Sequence, residues 1–234
     1  MGKKGLKIFG FVFARGGSKG VINKNIRIVA GKPLIYHAIT TALKSSLIDQ
    51  VLISSEDEQI IKEAKKAGAQ FLFKRPMELA EDTTPEWLAW QHAVKTLKGR
   101  DLDFDIFVSI PATSPLRSVK DIDVCIKALM VDKKADAVIS VSNARRHPSF
   151  NIVTMDKDNY VNIVFPQSQR ISRRQDANAL YDITTVAYAA RPEFILNSKA
   201  LFEGRVKAVV VPEERSLDID TEFDLKVARL LMED

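Results

Sequence analysis

Short apolar runs alternate with amphipathic helical patterns along most of the chain. Such alternation predicts βαβ units, in which helices cover both faces of a mainly parallel sheet. The predicted strands are 7–13, 51–54, 69–73, 104–110, 137–141, 184–190 and 206–211. Three helices are predicted at 33–46, 84–98 and 221–232. A fourth begins with a capping box at Ser55 and Glu58 and ends at Gly68, and a fifth begins at Ser118.

The helical pattern is interrupted between about residues 143 and 180. Two short strands, 151–155 and 160–165, are predicted there around a turn, and a basic, polar stretch follows them. We interpret the interruption as a small β-rich arm inserted into one domain that comprises residues 1–234. An exposed hairpin without a role is the alternative.

Composition limits the classes of protein to consider. With 46% hydrophobic and 28% charged residues, the 234-residue chain is typical of a globular protein. Its formal net charge of +5 favours anionic ligands without requiring nucleic acid. The single cysteine, Cys125, excludes an intrachain disulfide and favours a cytoplasmic location. No apolar run approaches the roughly 18 residues that a membrane span needs.

The loop after the first strand has the composition of a phosphate-binding turn. Residues 14–20 read Ala-Arg-Gly-Gly-Ser-Lys-Gly, and Lys24 and Asn25 follow. Exposed backbone N–H groups and cations at the carboxyl end of a strand suit a polyphosphate. The glycine spacing matches neither the P-loop nor the dinucleotide-binding pattern, so a different nucleotide loop is required. A solvated glycine-rich turn is the alternative.

A pair of carboxylates lies near the other end of the chain. Asp218 and Asp220 are two residues apart, which places both side chains on one side of an extended segment. Adjacent carboxylates repel unless a cation lies between them, and Mg²⁺ prefers oxygen ligands beside substrate phosphates. We therefore predict that both aspartates hold Mg²⁺. The alternative is that one caps the last helix and the other is solvated.

Two further loops at predicted strand ends carry polar side chains. The segment 79–84 offers acceptors and hydroxyls to a base or a ribose, although it could also simply cap the next helix. The segment 111–117 is a rigid turn with two prolines and two hydroxyls, and a purely structural loop is its alternative.

Together these motifs resemble the acylneuraminate cytidylyltransferases, the CMP-sialic acid synthetase family. The resemblance rests on five motifs that occur in order over nearly the whole chain: 14–20, 24–25, 79–83, 113–117 and 218–221. It implies a Rossmann-like, three-layer α/β domain of the nucleotide-diphospho-sugar transferase type with a dimerisation arm. It also implies transfer of CMP from CTP to a nine-carbon α-keto sugar acid, with release of pyrophosphate, by a homodimer or a higher oligomer.

The resemblance also implies roles for particular residues. Arg15 and Lys19 would bind the triphosphate and the departing pyrophosphate. Asp218 and Asp220 would hold the Mg²⁺ that bridges phosphate oxygens and helps to activate the nucleophile. Arg174, in the arm, would reach the site of a partner subunit. Other implied contacts are those of Ala14, Gly16, Gly17, Ser18, Lys24, Asn25, Asp82 and Thr83 with the nucleotide, and of Thr113 and Ser114 with the sugar.

Two departures from the family pattern concern the sugar. Pro111 stands where relatives often have a glutamine that takes part in recognition, and Asp182 stands where they tend to have an arginine. Proline cannot supply the hydrogen bonds of an amide side chain, and an aspartate would hold a sugar acid differently. The nucleotide half of the pattern is intact. N-acetylneuraminate and acids of the legionaminic and pseudaminic types therefore all remain open as acceptors.

Two other functions also remain open on the sequence. A nucleotidyltransferase for another acceptor, such as an eight-carbon keto-deoxy acid, a polyol phosphate or a molybdopterin, would share the sheet. It would not need both the Asp-x-Asp-Thr ending and the Arg-Arg-Gln segment of the arm. A non-catalytic protein that senses nucleotides or binds RNA would use the basic surface. No stacking aromatics alternate with the cations, so we expect neither nucleic acid nor a membrane as a partner.

Overall fold

The structure is a computed structural model that describes residues 5–165 and 178–232. Its strands are β1 (Ile8–Phe13), β2 (Ile28–Val29), β3 (Lys32–Pro33), β4 (Gln50–Ser54), β5 (Ile106–Ser109), β6 (Ala137–Asn143), β7 (Val153–Met155), β8 (Val161–Ile163), β9 (Tyr181–Ala190) and β10 (Val206–Val210). Its α-helices are α1 (Leu34–Leu43), α2 (Glu58–Lys66), α3 (Glu86–Lys98), α4 (Val119–Val131), α5 (Pro192–Asn197) and α6 (Glu222–Met232).

Six strands form the main sheet, in the order β10-β6-β9-β5-β1-β4. Neighbouring strands are parallel except at β9, which is antiparallel to both β5 and β6. The prediction of a mainly parallel sheet is therefore confirmed. Because β9 runs in the opposite direction, its first residues lie at the same edge of the sheet as the carboxyl ends of β1 and β5.

Side chains that alternate along β1 enter two different cores, one on each face of the sheet. Ile8 and Val12 pack with aliphatic residues of α1, α2 and α4. Phe9, Phe11 and Phe13 pack with aromatic and aliphatic residues of α3 and α5. The sheet is therefore the middle of three layers, as the resemblance implies, and its two faces carry cores of different chemistry.

The predicted capping box of α2 is wrong. The N-cap is Asp57, whose carboxylate accepts hydrogen bonds from the N–H groups of Gln59 at 2.8 Å and Ile60 at 2.9 Å. A carboxylate at this position accepts two of the unpaired N–H groups of the first turn and is a stronger acceptor than a hydroxyl. Ser55 instead accepts from the N–H of Asp57, at 3.2 Å, and Glu58 is the first helical residue.

The predicted strand 69–73 is also wrong. The segment runs beside β4 but forms only a single bridge, between Gln70 and Leu52. The ladder is not continued beyond this bridge. Arg75 turns inwards, and its guanidinium donates to the carbonyl oxygen of Ser54, the last residue of β4, at 2.7 Å. The buried arginine thus occupies one backbone acceptor at the end of β4.

The interrupted segment contains the predicted hairpin, which lies outside the main sheet. β7 and β8 pair in antiparallel fashion, with Val153 opposite Ile163, and the carboxylate of Asp156 accepts from the N–H of Tyr160 in the turn. Every residue of β7 is exposed. The role of the arm in dimerisation stays a prediction. Over the ranges that the structure describes, no helix combines the length and the apolarity needed to cross a membrane.

The aromatic core centres on Phe107, and its loss should destabilise the fold. The ring centroid of Phe107 lies 4.5 Å from that of Phe11 and 5.0 Å from that of Trp90. We expect Phe107→Ala to lower the free energy of unfolding by about 3–5 kcal/mol, because a large buried ring is replaced by a cavity. Urea unfolding followed by circular dichroism measures the change. Val131→Ala, at an 83% exposed position, is the control, and equal losses in both variants would contradict this packing.

Candidate active site

A cleft of about 900 Å³ opens at the sheet edge where β1 and β5 end and β9 begins. Parallel α/β sheets bind their ligands at this edge. Parts of the chain that are far apart in sequence meet here: the glycine-rich turn, the loop before α3, the loop after β5 and the aspartate pair. Nine predicted site residues line the cleft: Arg15, Ser18, Lys19, Lys24, Asn25, Asp82, Thr113, Asp218 and Asp220.

The amino-terminal turn touches the loop that carries the aspartate pair. Lys24 donates from Nζ to the carbonyl oxygen of Ile219 at 2.6 Å and pairs with Asp220 Oδ1 at 3.0 Å. Gly20 lies so close that a Cβ built on it would be 2.2 Å from the carbonyl oxygen of Asp220. On the other side, the N–H of Ile219 donates to the carbonyl oxygen of Thr113 at 2.9 Å.

A small apolar core explains why these two segments stay together. Val21, Val29 and Leu34 from the amino-terminal region are buried against the loop that carries the aspartate pair and against α6. Ile219 of the loop and Leu225 of α6 are their partners, and both are fully buried. Burial stabilises the contact by on the order of 1.5–3 kcal/mol for each of these aliphatic side chains. The polar groups of the cleft are therefore positioned by hydrophobic packing behind them.

The two cations of the glycine-rich turn are paired with Asp82 across the mouth of the cleft. Arg15 forms an ion pair with Asp82, and Lys19 Nζ lies 2.5 Å from Asp82 Oδ2. These hydrogen bonds, first that of Lys19 and then that of Arg15, lower the pKa of the Asp82 carboxyl. Asn25 steadies the turn from behind, since its amide donates to the carbonyl oxygen of Arg15 at 3.0 Å. A phosphate that bound both cations would take the place of the Asp82 carboxylate.

The backbone of the turn also holds an anionic oxygen. The N–H of Gly16 donates to Glu56 Oε1 at 2.7 Å, and the other oxygen of that carboxylate is buried without a hydrogen-bond partner among the described residues. A side chain at position 16 would collide with Asp57, since a Cβ would lie 2.7 Å from its Oδ2. The N–H of Gly16 therefore binds a carboxylate oxygen, which agrees with the sequence interpretation of an anion-binding loop.

Asp218 lies deeper in the cleft than Asp220. Burial raises the pKa of the Asp218 carboxyl and the charge of Asp220 adds to this, while hydrogen bonds from Thr113 and Thr185 oppose it. One of its oxygens, Oδ1, is buried and has no hydrogen-bond partner in the described part of the chain. A buried carboxylate oxygen without a donor is unfavourable unless a cation or a proton satisfies it. The residues present thus fit a divalent cation.

The alternative role of the aspartates, capping the last helix, is not observed. Thr221 and Asp224 cap α6 reciprocally: the N–H of Thr221 donates to Asp224 Oδ2 at 2.7 Å, and the N–H of Asp224 donates to Thr221 Oγ1 at 3.2 Å. Within residues 5–165 and 178–232, no three His, Cys, Asp or Glu side chains are grouped so that they could hold a metal ion. An ion at Asp218 and Asp220 would therefore complete its shell with water or ligand oxygens, which is usual for Mg²⁺.

Some predicted residues of these loops do not line the cleft. Ser114, for example, is fully buried, and its hydroxyl is 2.7 Å from that of Thr185. Arg174 lies outside the described residues. The implied ligand contacts of these residues stay predictions. The five predicted site residues that the structure describes and that do not line the cleft are Ala14, Gly16, Gly17, Thr83 and Ser114.

The two departures from the family pattern lie in different places. Pro111 is buried in the wall of the cleft, and its carbonyl oxygen accepts a hydrogen bond from the guanidinium of Arg117. Asp182 lines a neighbouring groove of about 570 Å³, and Asp218 borders both the groove and the cleft. Asp182 is therefore placed next to the site rather than in it.

Several residues of the cleft wall were not predicted from the sequence, and Arg75, Glu86 and Trp90 are polar or hydrogen-bonding ones among them. Arg75 is buried, and its guanidinium lies 5.6 Å from the centre of the Phe13 ring. Glu86 and Trp90 are one turn apart in α3, and the indole N–H donates to the carboxylate at 2.8 Å. An acidic residue beside two tryptophans at the start of a predicted helix is the signal that could have revealed them. Nothing in the sequence pattern marks Arg75.

A cationic, glycine-rich turn that faces a carboxylate pair across a cleft, at the ligand-binding edge of this sheet, defines a nucleotidyltransferase. The chain belongs to the cytidylyltransferase family, whose model matches residues 9–228.

Curated relatives support this assignment, and a solved structure shares the fold. The chain is 31% identical to "Post-translational flagellin modification protein B" of Campylobacter coli, over 95% of this chain and 94% of that protein. It is 30% identical to "CMP-N,N'-diacetyllegionaminic acid synthase" of Campylobacter jejuni, over 94% of this chain and 93% of that protein. A structure of CMP:2-keto-3-deoxy-manno-octonic acid synthetase complexed with CTP shares the fold, with a TM-score of 0.71, 16% identity and coverage of 97% of this chain and 98% of that one.

The contact between the two ends of the chain can be tested with two glycines of the same turn. We expect Gly20→Ala to lower the free energy of unfolding by about 1–3 kcal/mol, because the new methyl group would push the backbone of Asp220 away. Gly17→Ala should leave stability nearly unchanged, since no atom lies within 4 Å of its added Cβ. Thermal unfolding of both variants measures the difference. Equal stability of the two would show that the turn and the aspartate loop are not in contact.

Proposed function

We propose that this cytidylyltransferase transfers CMP from CTP to a nonulosonic acid, a sialic-acid-like α-keto sugar acid, and releases pyrophosphate. The observation that carries the proposal is the convergence of Arg15 and Lys19 with Asp218 and Asp220 on one cleft. Cations for a triphosphate and carboxylates for a divalent ion are the two requirements of nucleotidyl transfer.

The cations of the turn bind the triphosphate in this proposal. Arg15 and Lys19 exchange the Asp82 carboxylate for phosphate oxygens, so binding replaces one set of ion pairs with another. Lys24 and Asn25 lie on the same side of the cleft and are predicted to face the α-phosphate and the cytidine. When pyrophosphate leaves, the charge that develops on it is stabilised by cations already in position.

Asp218 and Asp220 hold Mg²⁺ in this proposal. The Oδ1 of Asp218, which is buried and has no hydrogen-bond partner among the described residues, supports it. When bound, the ion neutralises phosphate oxygens and polarises the α-phosphorus. Lys24, paired with Asp220, keeps this carboxylate in place before the ion arrives. The anomeric hydroxyl of the sugar acid attacks the α-phosphorus in line with the leaving pyrophosphate, and the protein contributes mainly by orienting the two substrates.

The class of acceptor is inferred from the relatives, of which one is named for a CMP-legionaminic acid. Thr113 lines the cleft beside Asp218, where we place the sugar. Pro111 and Asp182, the two departures from the family pattern, affect which sugar acid is accepted. An eight-carbon keto-deoxy acid is the second candidate, because the structural neighbour with CTP acts on such a substrate by its name.

We further propose that the chain acts as a homodimer in the cytoplasm. The exposed apolar residues of the arm, such as Val153, Met155 and Val161, support an association through this hairpin. A single, fully buried cysteine suits a reducing compartment, where CTP is also available. Arg174 would then be donated to the neighbouring site.

Pyrophosphate release with CTP and Mg²⁺, measured against a panel of sugar acids, tests the proposed function. The panel contains N-acetylneuraminate, legionaminic and pseudaminic acids and the eight-carbon keto-deoxy acid. We expect turnover with at least one nine-carbon acid. Turnover with the eight-carbon acid alone would establish the second candidate, and CTP binding without turnover of any acid would contradict the proposal.

Two charge-removing variants test the roles of the turn and of the aspartate pair. We expect Arg15→Ala and Asp220→Asn each to fold normally and to lose about a hundredfold or more in kcat, because each removes a charge that acts on the phosphates. Lys207→Ala and Asp132→Asn are matched controls, since they remove the same charges from an exposed ion pair outside the cleft. Steady-state assays at saturating Mg²⁺ compare the four. Activity retained by Arg15→Ala or by Asp220→Asn would refute the role of that residue.

A further inference from the structure

One carboxylate in the cleft has no use in the binding of phosphate or metal described above. Glu86 is the first residue of α3, and its side chain is accessible from the cleft. Its Oε1 accepts from the indole N–H of Trp90 at 2.8 Å and, weakly, from the hydroxyl of Ser109 at 3.5 Å. In the ranges that the structure describes, no donor reaches Oε2. The carboxylate is therefore held in one orientation by one oxygen and offers the other as a free acceptor.

The surroundings of Glu86 make a free acceptor unfavourable without a ligand. Although solvent reaches it through the cleft, many protein atoms surround it, and this desolvation raises the pKa of the Glu86 carboxyl. The hydrogen bond from Trp90 and the charge of Arg75 oppose the shift, while the charge of Asp218 adds to it. A ligand that donates a hydrogen bond to Oε2 would satisfy the acceptor and favour its ionised form.

The walls beside Glu86 suit a flat ring rather than a phosphate. Phe13, Trp87 and Trp90 line this part of the cleft, and the Phe13 and Trp90 ring centroids are 6.4 Å apart. Arg15 and Lys19 of the phosphate turn line the same cleft as this aromatic wall, and Arg75 lines it as well. A nucleotide with its phosphates on the turn can therefore place its base against the aromatic wall.

We propose that Glu86 is the residue that reads the nucleobase, by accepting a hydrogen bond from the exocyclic amino group of cytosine. A carboxylate is a suitable acceptor for this amino group. At the same place uracil carries a carbonyl oxygen, which a carboxylate repels and cannot bond. Glu86 would therefore select CTP against UTP. The inference rests on the proposed use of CTP and assigns the part of the site that recognises it.

Exchange of the carboxylate for an amide tests this directly. Glu86→Gln keeps an oxygen acceptor for Trp90 and places the amide NH2, a donor, where Oε2 faced the base. The variant can therefore donate to the carbonyl oxygen of uracil but no longer accepts from the amino group of cytosine. We expect the ratio of kcat/KM for CTP over UTP to fall about tenfold or more, the size of one hydrogen bond to a charged group. Glu78→Gln, which removes the same charge from an exposed residue of the preceding turn, is the control and should keep the ratio.

Nucleotide binding provides a readout that does not depend on the sugar acid. Both tryptophans of the chain, Trp87 and Trp90, line the cleft, so their fluorescence should report titration with CTP or UTP. Wild-type preference for CTP that disappears in Glu86→Gln supports the inference, even where no acid is turned over and the proposed function fails. A preference that survives in Glu86→Gln, or a wild type that binds the two nucleotides equally or not at all, overturns it. A change in the KM of the acid alone would assign Glu86 to the sugar instead.

Discussion

The contact between the glycine-rich turn and the aspartate loop is the constraint on which the rest of the site depends. Lys24 and Asp220 are separated by 196 positions in the chain, yet they form an ion pair at 3.0 Å. An exposed ion pair contributes little, so the contact depends on the apolar cluster behind it and on Gly20, which has no side chain to keep the backbones apart. Because the two segments meet, cations and carboxylates that belong to opposite ends of the sequence face one cleft.

Charges in the cleft are neutralised by one another in the absence of a ligand. Arg15 and Lys19 pair with Asp82, and Lys24 pairs with Asp220. When a triphosphate and a divalent cation bind together, these side chains would exchange their present partners for phosphate oxygens and the metal ion. Binding would therefore introduce no uncompensated charge. Asp218 and Glu86 differ from this pattern, since each has an oxygen with no donor in the described chain. A divalent cation would satisfy Asp218, whereas Glu86 would gain from a neutral hydrogen-bond donor.

Patterns that depend on local chemistry were sufficient to predict the layers, the hairpin and nine of the residues that line the cleft. Apolar periodicity indicated which segments pack on which face, and the glycine-rich turn and the aspartate pair carry their chemistry in short motifs. The sequence could not show that Asp57, rather than Ser55, caps α2, because both are good caps and geometry decides between them. Nor could it reveal Arg75, whose burial depends on carbonyl groups of a neighbouring strand.

A crystal structure of the protein with CTP and Mn²⁺ in place of Mg²⁺ is the most direct test, because anomalous scattering locates the ion. We expect the ion to be bound to the carboxylates of Asp218 and Asp220, with the phosphates of the same nucleotide on Arg15 and Lys19. An ion bound elsewhere, or phosphates that lie away from the turn while CTP occupies the cleft, would contradict it.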